Sequence, residues 1–140
     1  AAVSGNLVLF EAGLIPDAVA SVTAVTPKRS RSLKTPYGNI HWLTVPRSSV
    51  FIGTYAVKDP PGYIRATTEK ALLDQLYIIR YTPQSYSLWQ AFILEDLRID
   101  KDALESLDLT SMYELGRTYK SPKIIKHIKW FQKYLGIPNK

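Results

Sequence analysis

The chain has 140 residues, 46% of them hydrophobic, no cysteine and a formal net charge of +6 at pH 7. This length suits one domain with its own core, so we predict a single domain over residues 1–140. The absence of cysteine excludes disulfides, thiolate metal sites and cysteine nucleophiles, and no apolar run reaches the roughly 20 residues of a membrane span, which favours a cytoplasmic protein without membrane contact.

The first half of the chain predicts a short helix followed by strands. Asn6 can cap a helix over an apolar run, and Gly13 would end it. Residues 19–45 are rich in β-branched and aromatic residues broken by prolines and Gly38, which is typical of short strands, with a hairpin turn at residues 37–39. Two more strands are predicted over residues 50–57 and 63–66, with a break at residues 59–62.

After Thr67 the apolar residues recur with helical spacing. Helices are predicted from Thr67, over residues 84–97, over residues 102–107 and 110–118, and from Ser121, where Pro122 suits the first helical position. The expected fold is therefore α+β: an N-terminal helix flanking a mostly antiparallel sheet in the first half, and a helical second half.

Charge is unevenly distributed along the chain. Residues 95–118 carry seven Asp/Glu and three Lys/Arg, whereas residues 119–140 carry six lysines and no acidic residue. On a projection of 100° per residue, one face of the last helix holds Lys123, Lys126, Lys129 and Lys133. Its isoleucines and Phe131 lie opposite, and His127 lies on the border. The lysine face is either merely solvated or a contact for phosphate or a partner.

A second basic cluster comprises Lys28, Arg29, Arg31 and Lys34. It is predicted to lie in a loop between two strands, and loops often carry binding residues. Arginines there could bind phosphates bidentately. A solubilising turn is the alternative interpretation.

Signatures of catalysis are largely missing. The sequence contains no phosphate loop, dinucleotide fingerprint, hydrolase elbow or zincin motif. His41 lies in a predicted strand beside Trp42, which indicates a structural role rather than that of a general base or metal ligand. Glu95, Asp96, Asp100 and Asp102 could suggest a magnesium site, but helix-start chemistry explains the last two better. We expect no enzyme activity, no cofactor and no metal.

Four segments, in order, resemble the AbiEi-type antitoxins of type IV toxin–antitoxin systems. They are residues 13–17 (Gly-Leu-Ile-Pro-Asp), residues 22–26 with 28–31 (Val-Thr-Ala-Val-Thr, Lys-Arg-Ser-Arg), residues 37–38 (Tyr-Gly) and residues 69–74 (Glu-Lys-Ala-Leu-Leu-Asp). The resemblance covers residues 7–77, while residues 78–140 match only in being helical. Thr68 departs from the family, which commonly has proline at this position.

The resemblance implies the C-terminal antitoxin domain of a system that acts in abortive infection. Such a domain would oppose a nucleotidyltransferase-like toxin, either by direct contact or by countering its effect without contact. The family's N-terminal winged helix-turn-helix, which implies operon autoregulation, is absent, so we expect a fragment or a stand-alone relative. Weak DNA binding through the basic surfaces is expected as well. The alternative is a DNA-binding transcriptional regulator domain without a toxin partner, and an unrecognised enzyme is a third hypothesis.

Overall fold

The computed structural model describes residues 2–16, 21–36, 38–58 and 62–136. Within them the strands are β1 (Ala2–Val3), β2 (Ser21–Thr26), β3 (Arg31–Thr35), β4 (Gly38–Thr44), β5 (Thr54–Val57) and β6 (Tyr63–Ala66). The helices are α1 (Asn6–Glu11), α2 (Thr68–Ile78), α3 (Tyr86–Ala91), α4 (Lys101–Glu105), α5 (Leu109–Arg117) and α6 (Pro122–Tyr134), with a π-helical turn at Phe92–Asp96.

The strands form one six-stranded sheet in the order β3-β4-β2-β1-β6-β5. The pairs β3–β4, β1–β2 and β5–β6 are antiparallel, whereas β2–β4 and β1–β6 are parallel. The predicted α+β class is confirmed, and the sheet is mixed, with three antiparallel and two parallel pairs. Each parallel pair joins strands that are not consecutive in the chain.

The predicted hairpin is confirmed by its two strands. β3 pairs with β4 from Arg31 opposite Trp42 to Thr35 opposite Gly38. The Thr35 hydroxyl donates to the carbonyl oxygen of Gly38 at 2.5 Å, which ties the strand ends together. Of the predicted turn, residue 37 lies outside the described residues, and residues 38 and 39 belong to β4, so the prediction places the turn too late in the chain. Residues 59–61 of the predicted break before β6 also lie outside the described residues.

The two helices of the first half begin close to their predicted positions. α1 has Gly5 rather than Asn6 at its cap, and the chain leaves it through Gly13, whose φ of 80° is left-handed. α2 follows Thr67, whose side chain accepts a hydrogen bond from the backbone N–H of Lys70 at 3.3 Å. Thr67 is therefore the N-cap that the sequence predicts.

α2 is at the centre of the core. Ala71, Leu72, Leu73 and Leu76 are at most 1% exposed, and α2 contacts α1, β6, α5 and α6. The same apolar cluster extends through Trp89, Ile93, Leu104, Met112, Ile124 and Phe131. Each such side chain contributes about 1.5–3 kcal/mol on burial. Residues of both halves of the chain therefore share one core cluster.

The helices of the second half differ from prediction mainly at their ends. The helix predicted over residues 84–97 starts after Ser85, whose hydroxyl caps it, and its last turn is the π turn Phe92–Asp96. Carboxylates cap the next two helices: Asp100 accepts from the N–H of Ala103 at 2.9 Å, and Asp108 from that of Ser111 at 3.1 Å. The predicted helix-start role of Asp100 is confirmed.

α5 and α6 pack closely because one position between them lacks a side chain. A Cβ built on Gly116 would lie 2.0 Å from Cδ1 of Ile128 and 3.4 Å from Cγ2 of Ile124. Gly116 is itself buried. This contact holds the amino-terminal part of α6 against α5 and fixes the surface that the two helices present to solvent.

Candidate binding surface

The most enclosed polar group is built from α2. Lys70 and Asp74, one helical turn apart, form an ion pair with both side chains fully buried. The Ser4 hydroxyl donates to Asp74 Oδ2 at 2.6 Å, and the Tyr119 hydroxyl donates to Asp74 Oδ1. One carboxylate therefore joins the segment after β1, α2 and the end of α5.

This group is arranged for stability rather than for access to a substrate. Burial lowers the pKa of Lys70, and the charge of Asp74 opposes that effect. Burial, together with the same carboxylate, raises the pKa of Tyr119. Sequence reasoning missed the pair, although Lys70 and Asp74 lie four residues apart beside buried leucines, a spacing that lets oppositely charged side chains meet.

The second basic cluster lies at an edge of the sheet. Lys28 and Arg29 are in the exposed turn after β2, but Arg31 and Lys34 belong to β3. The prediction of a loop for all four is thus wrong for the last two. The exposed edge strand β3 has a single apolar side chain, Leu33, and so lacks the alternation that marks a half-buried strand.

Contacts within the hairpin hold this cluster in place. The Arg31 guanidinium lies 4.4 Å from the ring centroid of Trp42. Ser30 Oγ is 2.7 Å from Thr44 Oγ1. The Thr44 hydroxyl donates to the backbone carbonyl of Lys28 at 2.7 Å. His41 Nδ1 is 2.9 Å from Ser32 Oγ, on the strand beside β3. These contacts present the four cations on an ordered turn and strand.

Lys123 does not belong to the solvent-facing lysine stripe predicted for α6. Its ammonium donates to the backbone carbonyls of Tyr77, at 3.0 Å, and of Ile79. The α2 helix ends there, so Lys123 supplies hydrogen bonds to carbonyls that lack helical partners. Burial lowers the pKa of Lys123. Lys123 therefore has a capping role at the end of α2, and its predicted binding role stays a prediction.

The other three predicted lysines of α6 reach the surface. Lys129 and Lys133 are exposed and Lys126 is half-buried. The Lys126 ammonium lies 5.0 Å from the ring centroid of Trp130, and that of Lys133 lies 4.4 Å from that of Tyr86. Lys133 is thus directed toward α3, while the other two border a groove on the α5 side.

This groove, the α5–α6 groove, has a volume of about 540 Å³. Four cations line it: Arg117, Lys120, Lys126 and Lys129. Its remaining lining residues are Gly116, Ser121, Pro122 and Ile125. The structure thus brings Lys126 and Lys129 together with two cations that sequence reasoning did not group with them. Arg117 and Lys120 lie within four residues before the predicted start of the last helix, and this proximity is the signal that could have found them.

His127 is buried rather than at the border of α6 as predicted. Its Nδ1 accepts a hydrogen bond from Trp89 Nε1 at 3.1 Å, so its proton is on Nε2. That nitrogen has no hydrogen-bond partner among the described residues. Burial, reinforced by Lys123 and Lys126, lowers the pKa of His127 to about 4. The ring is therefore neutral at pH 7 and packs as part of the aromatic core.

The acidic residues of the second half do not converge on a metal site. In the part of the chain that the structure describes, no three His, Cys, Asp or Glu side chains are placed to hold a cation together. Asp100 is engaged in its cap, whereas Glu95, Asp96 and Asp102 are exposed. Nor does any helix of the described residues have the length and apolar character needed to cross a bilayer.

No family model matches the sequence, and no curated protein matches it.

Proposed function

We propose that this chain is a binding domain of the AbiEi antitoxin type, which counteracts a nucleotidyltransferase-like toxin. The proposal rests on the resemblance of four sequence segments, and one structural observation supports it best. Three of those segments, separated in the sequence, contribute buried or paired residues to the fold, as the shared residues of a domain family should.

The roles of these residues can be named individually. Leu14 is 2% exposed, and its carbonyl accepts from the N–H of Asp100 at 2.7 Å, which links the first segment to the start of α4. Residues 22–26 of the second segment are in β2, which lies inside the sheet between β4 and β1. Lys70 and Asp74, from the last segment, form the buried pair at the centre of α2.

The departure at Thr68 is compatible with the proposal. Thr68 is the first residue of α2, directly after the N-cap Thr67. Proline is favoured at this position because the backbone N–H there has no helical acceptor. Threonine and the family's proline can therefore begin the same helix.

The charged surfaces suit binding to a partner. Glu95, Asp96 and Asp102 are exposed acidic side chains that a basic toxin surface would complement. Lys28 and Arg29 are exposed cations that suit nucleic acid better. The second candidate function, a DNA-binding regulator domain without a toxin partner, is supported by this basic turn alone.

Co-expression with a nucleotidyltransferase-like toxin tests the proposal. We expect the wild-type chain to restore growth, and reversal of Glu95, Asp96 and Asp102 to lysine to weaken rescue, since like charges at an interface cost several kcal/mol. Asp100 is left unchanged because it caps α4. Reversal of Lys28 and Arg29 to glutamate is the matched control and should spare rescue.

Circular dichroism of each variant establishes that it is folded before its rescue is scored. Failure of the wild-type chain to restore growth would reject the antitoxin function. Loss of rescue only in the basic-turn variant would instead assign neutralisation to that turn.

A further inference from the structure

We propose that the α5–α6 groove is a docking site for an acidic segment of a protein that also carries an apolar side chain. The groove combines four cations at its sides with Pro122 and Ile125, which are apolar. An occupant that satisfies both features needs carboxylates and a hydrophobic anchor. This inference goes beyond the antitoxin function and can be tested without a toxin.

The cations of the groove are available for an external anion. From Arg117 to Lys133 the chain carries six Lys/Arg and no Asp/Glu. Arg117, Lys120 and Lys129 are exposed, and within the described residues none of the four lining cations forms an ion pair with a carboxylate. Lys126 and Lys129, three residues apart, project from the same face of α6. Their charges are therefore not neutralised within the described part of the chain.

The volume of the groove limits the size of the segment that can bind there. A volume of about 540 Å³ lies within the roughly 300–1,000 Å³ typical of ligand sites. This is room for a few side chains rather than for a folded domain. A short segment inserted between the cations would place its apolar side chain against Ile125 and its carboxylates toward Lys120 and Lys129.

The lining residues favour protein over nucleic acid. Single-stranded nucleic acids are held by aromatic side chains on which bases stack, and no aromatic residue lines this groove. A phosphate backbone would use the cations but would leave Pro122 and Ile125 without a partner. An acidic peptide with a leucine uses both, and its hydrophobic contact excludes water from the charged contacts around it.

The test is fluorescence anisotropy with a labelled peptide that alternates Glu, Asp and Leu. Two matched probes accompany it: the same peptide with Gln and Asn in place of the acids, and a labelled single-stranded DNA. We expect the acidic peptide to bind, and the neutral peptide and the DNA to bind at least tenfold more weakly. Lys120→Ala with Lys129→Ala should weaken peptide binding about tenfold, since each exposed charge contact is worth up to about 1 kcal/mol.

Control variants separate this site from general charge attraction. Lys28→Ala with Arg29→Ala removes two exposed cations elsewhere and should leave peptide affinity unchanged. Ile125→Thr should weaken binding of the leucine-bearing peptide severalfold but not binding of a peptide whose leucines are replaced by serine.

Three outcomes would overturn the inference: no binding of the acidic peptide, equal losses in the Lys120/Lys129 and Lys28/Arg29 variants, or a preference for the DNA that the Lys120/Lys129 substitutions abolish and the Lys28/Arg29 substitutions do not. Sedimentation velocity adds a fourth: if the wild-type chain self-associates and the Lys120/Lys129 variant does not, the groove is occupied by another copy. Rescue from the toxin is scored separately, so its failure would leave the peptide result standing.

Discussion

Lys70 and Asp74 are charged side chains that water does not reach, so each depends on the other. Lys70→Met would leave the Asp74 charge buried with only hydroxyl donors, and we expect a loss of about 3–5 kcal/mol in the free energy of unfolding. Adding Asp74→Asn should recover part of that loss, because the amide oxygen still accepts from Ser4 or Tyr119 without a net charge.

Urea unfolding followed by circular dichroism measures both variants. Glu11→Gln is the control, since it removes one charge from the ion pair with Arg65 in which the Glu11 side chain is 47% exposed. Such a pair contributes no more than about 1 kcal/mol. A Lys70→Met protein as stable as the control would contradict this interpretation of the buried pair.

The other residue-scale consequence concerns pH. The pKa of His127 is lowered to about 4 from its ordinary value of 6.5, so between these values the unfolded chain binds a proton that the folded chain excludes. The contribution of His127 to the free energy of unfolding is therefore full above pH 6.5 and is lost as the pH falls toward 4. The shift corresponds to a loss of about 3 kcal/mol at most.

Urea midpoints measured from pH 7 to pH 4 should fall less steeply for His127→Asn than for the wild-type chain. The asparagine oxygen can replace Nδ1 as acceptor for Trp89 but does not titrate. His41→Gln, which changes the half-buried histidine of β4, is the matched control for replacing a histidine elsewhere in the fold. Parallel slopes for wild type and His127→Asn would show that other groups control the acid response.

At the scale of elements, the contact between α5 and α6 makes a prediction about Gly116. Alanine normally stabilises a helix relative to glycine by up to about 1 kcal/mol, but here its Cβ would overlap Cδ1 of Ile128 at 2.0 Å. Ile128 is 2% exposed and has little room to move. We expect Gly116→Ala to destabilise the protein by about 1–3 kcal/mol.

The matched suppressor is Ile128→Val, which removes the clashing methyl group. The double variant Gly116→Ala/Ile128→Val should unfold at a higher temperature than Gly116→Ala alone, although Ile128→Val by itself costs about 0.5–1.5 kcal/mol. If the two substitutions are simply additive in thermal unfolding, the helices do not meet at these atoms.

The sequence predicted elements whose signals are local and missed those that depend on distant partners. Thr67, Ser121 and the helical spacing of leucines marked the starts of α2 and α6, and the hairpin followed from its turn residues. β1 has two residues and no alternation to detect, and its partners are Val25, Ala24 and Arg65. Both parallel pairings of the sheet likewise depend on contacts that no local pattern encodes.

In the binding surface, too, features with a local sequence signal were predicted and features that depend on distant contacts were not. Helical projection placed Lys126 and Lys129 correctly at the surface, because exposure follows the period of the helix. It misassigned Lys123, whose environment is decided by the end of α2, and His127, whose position is decided by Trp89. Arg117 and Lys120 line the groove because α5 packs against α6, and the projection of a single helix cannot show such packing.

At the scale of the whole molecule, the two basic surfaces make distinct predictions for DNA. If the turn after β2 contacts phosphates, Lys28→Ala with Arg29→Ala should shallow the salt dependence of DNA affinity by about one unit per lost contact. Lys101→Ala, which removes an exposed cation from the predominantly acidic residues 95–118, is the control and should change little. A DNA affinity that does not change with salt concentration would reject a role for this turn. Equal effects of the Lys28/Arg29 and Lys101 substitutions would also reject it.

The short strand β1 has a consequence for how the protein is made. It joins the two halves of the sheet, and the adjacent Ser4 donates its N–H to Thr23 and its hydroxyl to Asp74. On the ribosome this segment emerges before all of these partners. It can pair with β2 early, whereas its contacts with β6 and Asp74 form only after α2 has left the exit tunnel. The hairpins β3–β4 and β5–β6 can form from neighbouring residues meanwhile, whereas closure of the whole sheet is deferred. A synonymous change that slows translation after α2 should therefore alter the yield of folded chains more than the same change before it.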